Sequence, residues 1–574
     1  MRVLPDSPAV DKTFDYLVPE ALGDAVRVGT MVRVVLHGRR VGGWVVEDHV
    51  SPPAGVTLLP LAKVTGWGPA PDLIELARWA AWRWAGRPAH LLRTASPPGA
   101  VRGLPRTDAA EPPAATVRDP LADRALAAGQ SVVRLPPSAD VLPLVVAAAA
   151  IGTTLVVAAG SADASGLAQR LRRAGLSTAL LPREWASAAA GARVVVGARA
   201  AAWGPAVDLA CVIVLDEHAE AHQEEAAPTW HARDVAVERA RRAGARCVLT
   251  SPCPSLEAQA AMALVVPSRP AERAGWPVVD VVDRRREDPL RVDLYSSTLV
   301  DLVRSGRRVV CVLNRKGRHR LLACAACAEL ARCEACGAAV STGEETTLVC
   351  GRCATSRPPV CAVCGGGRLK VRRLGVTRAR EDLERLGGVP VVEVTGDSDT
   401  TADIDAATVL VGTEAVLHRV TGADAVAFLD LDAELLAPRH RAAEEAMALV
   451  ARAARLLGGK SGGGRLVLQT RLPSHEVVQA ALLADPARVS AAEVERREAL
   501  QFPPVTALAQ VSGASAERYA ADLRAKGALG VEVLGPVDGT WLVRAPDHGL
   551  LCDALAAVPR PPGRLRVAVD PHRL

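Results

Sequence analysis

Aromatic residues are scarce in this chain of 574 residues, with 3 Phe, 3 Tyr and 10 Trp. That leaves little capacity for stacking a long run of unpaired bases. Charge of one sign is also nearly absent in excess: the formal net charge is +6, which permits nucleic-acid binding without establishing it. No basic, then apolar, then small-residue leader opens the sequence, so export is not expected. One uncharged run, Val141 to Ala162, has the length of a membrane span. Pro143 and the Gly152-Thr153-Thr154 break divide it into a short apolar helix and a strand, Leu155–Ala159, as in a buried parallel sheet. A membrane segment is therefore not expected. The 13 cysteines do not form a disulfide framework, because eight of them crowd between Cys324 and Cys364 and the others (Cys211, Cys247, Cys253, Cys311, Cys552) are scattered. This pattern suits a reducing cytoplasm.

What is present is Ala, Val and Leu arranged in several textures, and the length implies several domains. Residues 1–65 alternate Val-rich runs with Gly and Pro, as in Met31–Leu36 and Gly43–Val46, and predict a small β-rich domain. Residues 71–93 turn helical, with Leu73, Leu76, Trp79 and Trp82 on one face, and a Pro-rich linker follows at 103–120. Buried strands then alternate with Ala/Arg-rich helices through 121–274: Leu155–Ala159, Arg193–Gly197, Cys211–Leu215 and Cys247–Thr250. The same pattern resumes across 275–322 and 368–504, with Val309–Leu313, Val389–Val394, Thr408–Val411, Val426–Leu431 and Leu466–Gln469. Two α/β lobes with parallel sheets are expected, the second interrupted by the cysteine-rich segment 323–367. A small α+β domain is expected over 505–574.

The crowded cysteines form four C-x-x-C pairs: Cys324/Cys327, Cys333/Cys336, Cys350/Cys353 and Cys361/Cys364. A C-x-x-C turn aims two thiolates at one point, and two turns complete a closed tetrahedral site. Eight ligands thus predict two structural Zn²⁺ ions per chain, in preference to a redox pair or an iron–sulfur cluster. Gly337, Gly351 and Gly365 lie beside or after cysteines, where a tight knuckle needs them. The short Cys336–Cys350 loop favours a nested arrangement. In it Cys333, Cys336, Cys350 and Cys353 form an inner site, and Cys324, Cys327, Cys361 and Cys364 an outer one. Pairing of sequence neighbours is the alternative.

The order of segments resembles one family over nearly the whole length. Asp11-Lys12-Thr13-Phe14-Asp15-Tyr16-Leu17-Val18-Pro19, Leu215-Asp216-Glu217-His218, Trp230-His231-Ala232-Arg233-Asp234 and Leu313-Asn314-Arg315-Lys316-Gly317 precede the cysteine pairs. Val411-Gly412-Thr413-Glu414, Val467-Leu468-Gln469-Thr470 and Val533-Leu534-Gly535-Pro536 follow them. In these the chain resembles the PriA family (primosomal protein N′) of bacterial replication restart proteins. The resemblance implies two RecA-like lobes, a double zinc-ribbon insertion, a winged-helix-like segment at 66–102 and a first domain that binds a 3′ DNA end. It further implies stalled or forked DNA, single-stranded-DNA-binding protein and the replicative helicase or its loader as partners, and a cytoplasmic, nucleoid-associated monomer.

The nucleotide motif departs from the family. Where the family has G-x-x-G-x-G-K-T, this chain reads Val133-Arg134-Leu135-Pro136-Pro137-Ser138-Ala139-Asp140. Ala139 stands at the Lys position and Asp140 at the hydroxyl position. Two prolines remove amide donors, and a carboxylate repels phosphate. ATP and Mg²⁺ are therefore not expected to bind. Asp216 and Glu217, after a buried strand, are read as structural remnants of the magnesium and water-activating carboxylates, and no catalytic residue is assigned. Arg452 and Arg455 lie in a stretch without the glycines of the family's last helicase motif. Gly459-Lys460-Ser461 mimics the end of a P-loop but follows a helix, and reads as a glycine turn. The chain is expected to act without helicase activity; an active 3′–5′ helicase and a zinc-ribbon protein adaptor are the alternatives.

The resemblance implies that Phe14, Asp15 and Tyr16 shape a pocket for a strand's 3′ end, an aromatic stacking on the base and a carboxylate accepting from the 3′-hydroxyl. The plain alternative puts Phe14 and Tyr16 in the core of the β domain. Arg315, Lys316 and Arg318 on one side of the cysteine cluster, and Lys370, Arg372 and Arg373 on the other, are candidate phosphate contacts.

Overall fold

A computed structural model describes residues 1–573 apart from 8–9, 52–54, 56, 107–118, 287–293, 315–320, 344–346, 372–374, 397–400 and 528–529. The chain divides into two compact units. The first holds 1–133, 140–266 and 500–572; the second holds 134–139, 267–499 and 573–574. Among the described residues no helix is long and apolar enough to cross a membrane.

The first unit opens with a five-stranded antiparallel sheet in the order β2-β1-β4-β3-β5, made of β1 (Arg2–Pro5), β2 (Phe14–Asp15), β3 (Met31–Leu36), β4 (Arg39–Glu47) and β5 (Lys63–Gly66). The β3–β4 hairpin turns on His37 (φ 47°) and Gly38 (φ 75°), the two left-handed residues a two-residue turn requires. One face of this sheet buries Val3, Tyr16, Val32, Val34 and Val45. The other brings Leu4, Trp44 and Val46 into a shared core with α1 (Pro71–Arg83) and α2 (Pro88–Ala95). Each helix starts on a proline, whose missing N–H costs nothing there.

Next comes a seven-stranded sheet in the spatial order Ala263–Val265, Gln130–Arg134, Arg246–Ser251, Leu209–Val214, Thr153–Val157, Val194–Gly197, Thr178–Leu180. From Arg246–Ser251 onward its pairings are parallel. Its central strands are uniformly buried because helices cover both faces, which is why they read as unbroken Val/Leu/Ile runs. The suspected membrane run is the helix Leu142–Ile151 followed by the strand Thr153–Val157.

Leu500–His572 completes this same unit. Its four-stranded sheet, Glu532–Val537, Thr540–Ala545, Ala507–Ser512 and Arg566–Val569, packs into the core that holds α1 and α2. Asp570 accepts from Arg83 of α1 at 2.5 Å and from His548 at 2.9 Å. These cations outweigh burial and hold its carboxyl well below the usual range.

The second unit is built on a six-stranded sheet, all parallel: Val278–Asp283, Arg465–Thr470, Ala425–Phe428, Val309–Val312, Val409–Gly412, Val391–Val394. Between its strands Val309–Val312 and Val391–Val394 the chain leaves to form the cysteine module, a two-stranded and a three-stranded antiparallel sheet spanning Leu322 to Val371.

Candidate metal centres and the nucleotide segment

The four knuckles share one backbone geometry. The amide after the second cysteine returns to the first cysteine's carbonyl: Ala328 to Cys324 at 2.9 Å, Gly337 to Cys333 at 2.9 Å, Ala354 to Cys350 at 3.0 Å, Gly365 to Cys361 at 2.9 Å. That residue is left-handed every time, with φ of 58°, 73°, 58° and 69° in the same order. Gly351 was expected to serve a knuckle by its flexibility, but it lies inside one and is not left-handed; alanines fill the turn at 328 and 354. An alanine there is strained by its Cβ. Ala328→Gly and Ala354→Gly are each expected to stabilise the module by about 1 kcal/mol, read as increased resistance to chelator-driven unfolding.

The thiols gather into two groups, each with all four Sγ atoms within 4.8 Å of one another. One is Cys324, Cys327, Cys361 and Cys364; the other is Cys333, Cys336, Cys350 and Cys353. This is the nested arrangement, not the pairing of sequence neighbours. Sγ–Sγ distances are 3.5 Å (Cys324–Cys364), 3.6 Å (Cys327–Cys361), 3.5 Å (Cys333–Cys353) and 3.4 Å (Cys336–Cys350). A tetrahedral ion with metal–sulfur bonds of about 2.3 Å needs edges of about 3.8 Å, so both groups fit zinc with small adjustment. Hydrogen bonds from the amides of Cys327 and Ala326 pull the Cys324 thiol down to about 6, which favours the thiolate a metal needs. A Cβ at Gly366 would crowd the outer group, standing 3.3 Å from the Cys324 sulfur and 3.4 Å from that of Cys364.

The inner group sits inside the module's hydrophobic cluster with Leu322, Ala331, Ala338, Val340 and Leu348, whereas Cys327 and Cys364 of the outer group are exposed. The module is gripped by two guanidinium groups of its own unit. Arg352 donates to the carbonyls of Cys336 and Ala437, and Arg471 to that of Ala328.

The segment in the nucleotide position offers no anion cradle. Pro136 and Pro137 have no N–H; the amide of Ser138 goes to the Gly275 carbonyl at 3.2 Å and that of Ala139 to the Pro136 carbonyl at 2.9 Å. The carbonyl of Pro137 accepts from Arg455 at 3.3 Å, and Arg134 pairs with the buried Glu272 at 2.8 Å. A Cβ at Gly275 would meet Pro136 at 2.3 Å, so this turn and its neighbour are packed against each other. Arg452, the other arginine considered, donates to the Leu417 carbonyl. Gly459-Lys460-Ser461 enters a single 3₁₀ turn after the helix Ala442–Leu457.

Asp140 completes the substitution. Its carboxylate accepts the Leu142 amide at the start of the helix Leu142–Ile151 and pairs with Arg170 at 2.5 Å. Although partly buried, it is held below the usual carboxylate range by Arg170 and the amides of Leu142 and Val141. The helix N-terminus that would face a phosphate already faces a carboxylate of the chain.

Glu217 is fully buried and committed. It accepts from the Ser255 amide at 2.8 Å, the Ser255 hydroxyl at 2.8 Å and Arg233 at 3.2 Å. Arg233 also pairs with Asp234 at 2.8 Å, while His231 accepts the Arg233 amide and Trp230 packs edge-on against Trp203. The W-H-A-R-D string is thus a helix start with a buried ion pair. Its neighbour Asp216 takes a left-handed φ of 49°. Glu217→Ala removes one of the two carboxylates paired with Arg233 and the acceptor of both Ser255 bonds, and is expected to cost about 1–3 kcal/mol in denaturant unfolding, with Glu217→Gln costing less because the bonds from Ser255 survive.

Of the residues proposed for DNA, Tyr16 is buried and donates to the Val35 carbonyl at 3.0 Å, and Phe14 packs partly buried against the same core. Asp15 accepts from Arg2 at 2.9 Å. The structure therefore puts the aromatic pair in the β-domain core. Lys370 is exposed on the strand Leu369–Val371; Arg315, Lys316, Arg318, Arg372 and Arg373 lie outside the described residues. Sequence reasoning missed a cavity of about 380 Å³ floored by Leu4, Val46, Ile74 and Leu92, with Asp11, Lys12 and Arg78 at its mouth. The Asp11-Lys12-Thr13 run before Phe14 was the only signal for it.

Residues 2–97 match a family model described as the 3′ DNA-binding domain of PriA. The chain is 29% identical over 618 residues to the probable replication restart protein PriA of Mycobacterium tuberculosis, covering 95% of this chain and 92% of that one. It is 30% identical over 381 residues to the replication restart protein PriA of Treponema pallidum, covering 60% and 57%. Among solved structures, Saccharomyces cerevisiae Dbp5 bound to RNA and ADP BeF3 aligns with a TM-score of 0.37 at 10% identity, over 66% of this chain and 93% of that chain. Matched by the family's DNA-binding domain at one end and aligned with its members over 95% of its length, the chain is similar to the PriA family.

Proposed function

We propose that this protein recognises stalled or abandoned replication forks, holds a nascent 3′ end and promotes loading of the replicative helicase, without ATP-driven unwinding. The observation that carries the DNA-binding half is the match of residues 2–97 to the 3′ DNA-binding domain. The loss of ATP chemistry is supported by residues 136–139, none of which has an amide to spare for phosphate, and by Asp140 at the helix start. In this reading the two parallel sheets are RecA-like lobes kept as a scaffold. Two structural zinc ions hold the module that displays a docking surface for the partners, single-stranded-DNA-binding protein and the helicase or its loader. Domain limits follow the textures of the sequence, with the winged-helix-like segment contributed by α1 and α2.

The test compares a synthetic fork carrying a free 3′-hydroxyl at the branch with the same fork blocked by a 3′-phosphate. Loss of one buried hydrogen bond and clash with the added charge are expected to weaken binding about tenfold or more. Equal weak binding to both forks would remove 3′-end recognition from the proposal. No binding to either would turn it toward a protein adaptor.

A further inference from the structure

The exposed end of the N-terminal sheet carries cations that nothing among the described residues neutralises. Arg33 on β3 stands directly opposite Lys63 on β5 and Gly42 on β4, and Val35, two residues along β3, stands opposite Arg40. Cross-strand partners and i, i+2 neighbours share a face, so Arg33, Arg40 and Lys63 project together. All three are exposed. They lie on the face that buries Trp44 and half-buries Met31 against the core shared with α1 and α2, beyond the part those helices cover.

Two features set this patch apart from an ordinary solvated surface. Like charges directly opposite one another destabilise a sheet, yet none of the three is ion-paired among the described residues. The nearby carboxylate, Asp6, whose amide donates to the Gly42 carbonyl, is already taken by Arg93. The second feature is Gly42. Its neighbour Gly43 is demanded by packing, since a Cβ there would lie 2.7 Å from the Leu4 carbonyl oxygen. At Gly42 a Cβ would meet only Asp6, at an ordinary 3.9 Å, and no left-handed φ requires glycine. A strand glycine needed by neither conformation nor packing leaves a flat floor between the cations, where another backbone can approach closely.

We propose that Arg33, Arg40 and Lys63, around the floor at Gly42, form a track for the sugar–phosphate backbone of the DNA strand next to its bound 3′ end. The partner is a polyanion read without sequence, held by charge and by close approach to a bare stretch of sheet. This rests on the fork-binding reading above and adds to it a surface separate from the recognition of the 3′-hydroxyl.

The experiment measures affinity of the full chain for the 3′-hydroxyl fork across a salt titration. Removing one cation that neutralises a phosphate is expected to flatten the slope of log affinity against log salt by about 0.9 on duplex or about 0.7 on single strand. Arg33→Ser, Arg40→Ser and Lys63→Ser together are expected to flatten it by roughly 2–3 and to weaken binding at least tenfold in low salt. The preference for a free over a blocked 3′ end is expected to stay as in the wild type, and the melting temperature to hold or rise as the facing like charges of Arg33 and Lys63 are removed. Arg33→Lys with Arg40→Lys is expected to keep the wild-type slope, and Gly42→Leu to weaken binding without changing the melting temperature. An unchanged slope and affinity in the triple variant would overturn the track. A wild-type protein that does not distinguish the two forks would instead overturn 3′-end recognition, while the slopes would still judge the track.

Discussion

Cys350→Ser is expected to reduce bound zinc from two ions per chain to one and to unfold the inner three-stranded sheet between Val340 and Arg357 while the outer group keeps its ion. Its sulfur is both an inner-site ligand and part of the buried cluster formed by Leu322, Ala331, Val340 and Leu348. Two sheets of two and three short strands bury too little apolar surface to stand alone. On the proposed two-zinc reading folding there depends on the metal, since a structural Zn²⁺ in small domains contributes about 10–16 kcal/mol. Cys364→Ser in the exposed outer group is expected to release one ion as well while leaving the inner sheet folded. Metal analysis with limited proteolysis distinguishes the two. A module that stays protease-resistant without zinc would mean that the cysteines are not its structural centre.

The second large effect is an absence of turnover. Titration with ATP and Mg²⁺ is expected to give no binding heat, and hydrolysis with forked DNA is expected to remain at background. The obstacle is distributed over the segment. Ala139→Lys with Asp140→Thr restores the two motif side chains, yet Pro136 and Pro137 still lack amides and Ser138 still donates to Gly275. That double variant is therefore expected to stay inactive. Turnover on the usual enzymatic scale of about 1–1,000 s⁻¹ would overturn the scaffold reading. To ask whether such turnover used the family's carboxylates, Asp216→Asn is the appropriate change, because asparagine tolerates the left-handed φ there. Glu217→Ala would lose activity for the uninformative reason that it breaks the Arg233 pair.

The parallel strands were legible because a strand covered on both faces has no polar alternation to blur it. Val194–Gly197 and Val309–Val312 were anticipated to within one residue. Short edge strands such as Thr178–Leu180 and Ala263–Val265 were not, since edge position and shortness dilute the apolar run. The two groups of four cysteines were legible from spacing, but the left-handed alanines at 328 and 354 were not. There the knuckle geometry overrides the local preference, and a Cβ strain leaves no mark in composition. The departure of Pro136, Pro137 and Asp140 from a phosphate-loop pattern was legible in the sequence. The pairing of Asp140 with Arg170, 30 residues away, was not, because it is a tertiary contact. Phe14 and Tyr16 show the same limit in reverse: a two-residue strand gives too little pattern to say which side of a sheet an aromatic takes.

Asp570 and its partner Arg83 have a consequence for biosynthesis. A ribosome makes this chain from one end, at about 5–20 residues per second in bacteria, and domains ordinarily fold as they emerge. Here the core that surrounds Trp44, Leu73 and Trp84 also contains Val511, Val543 and Val569. The first unit therefore stays incomplete through synthesis of the whole of 267–499 and closes only when its last strand is released. Any message truncated before Val569 yields the segment matched by the DNA-binding domain without its finished core, a product open to proteases.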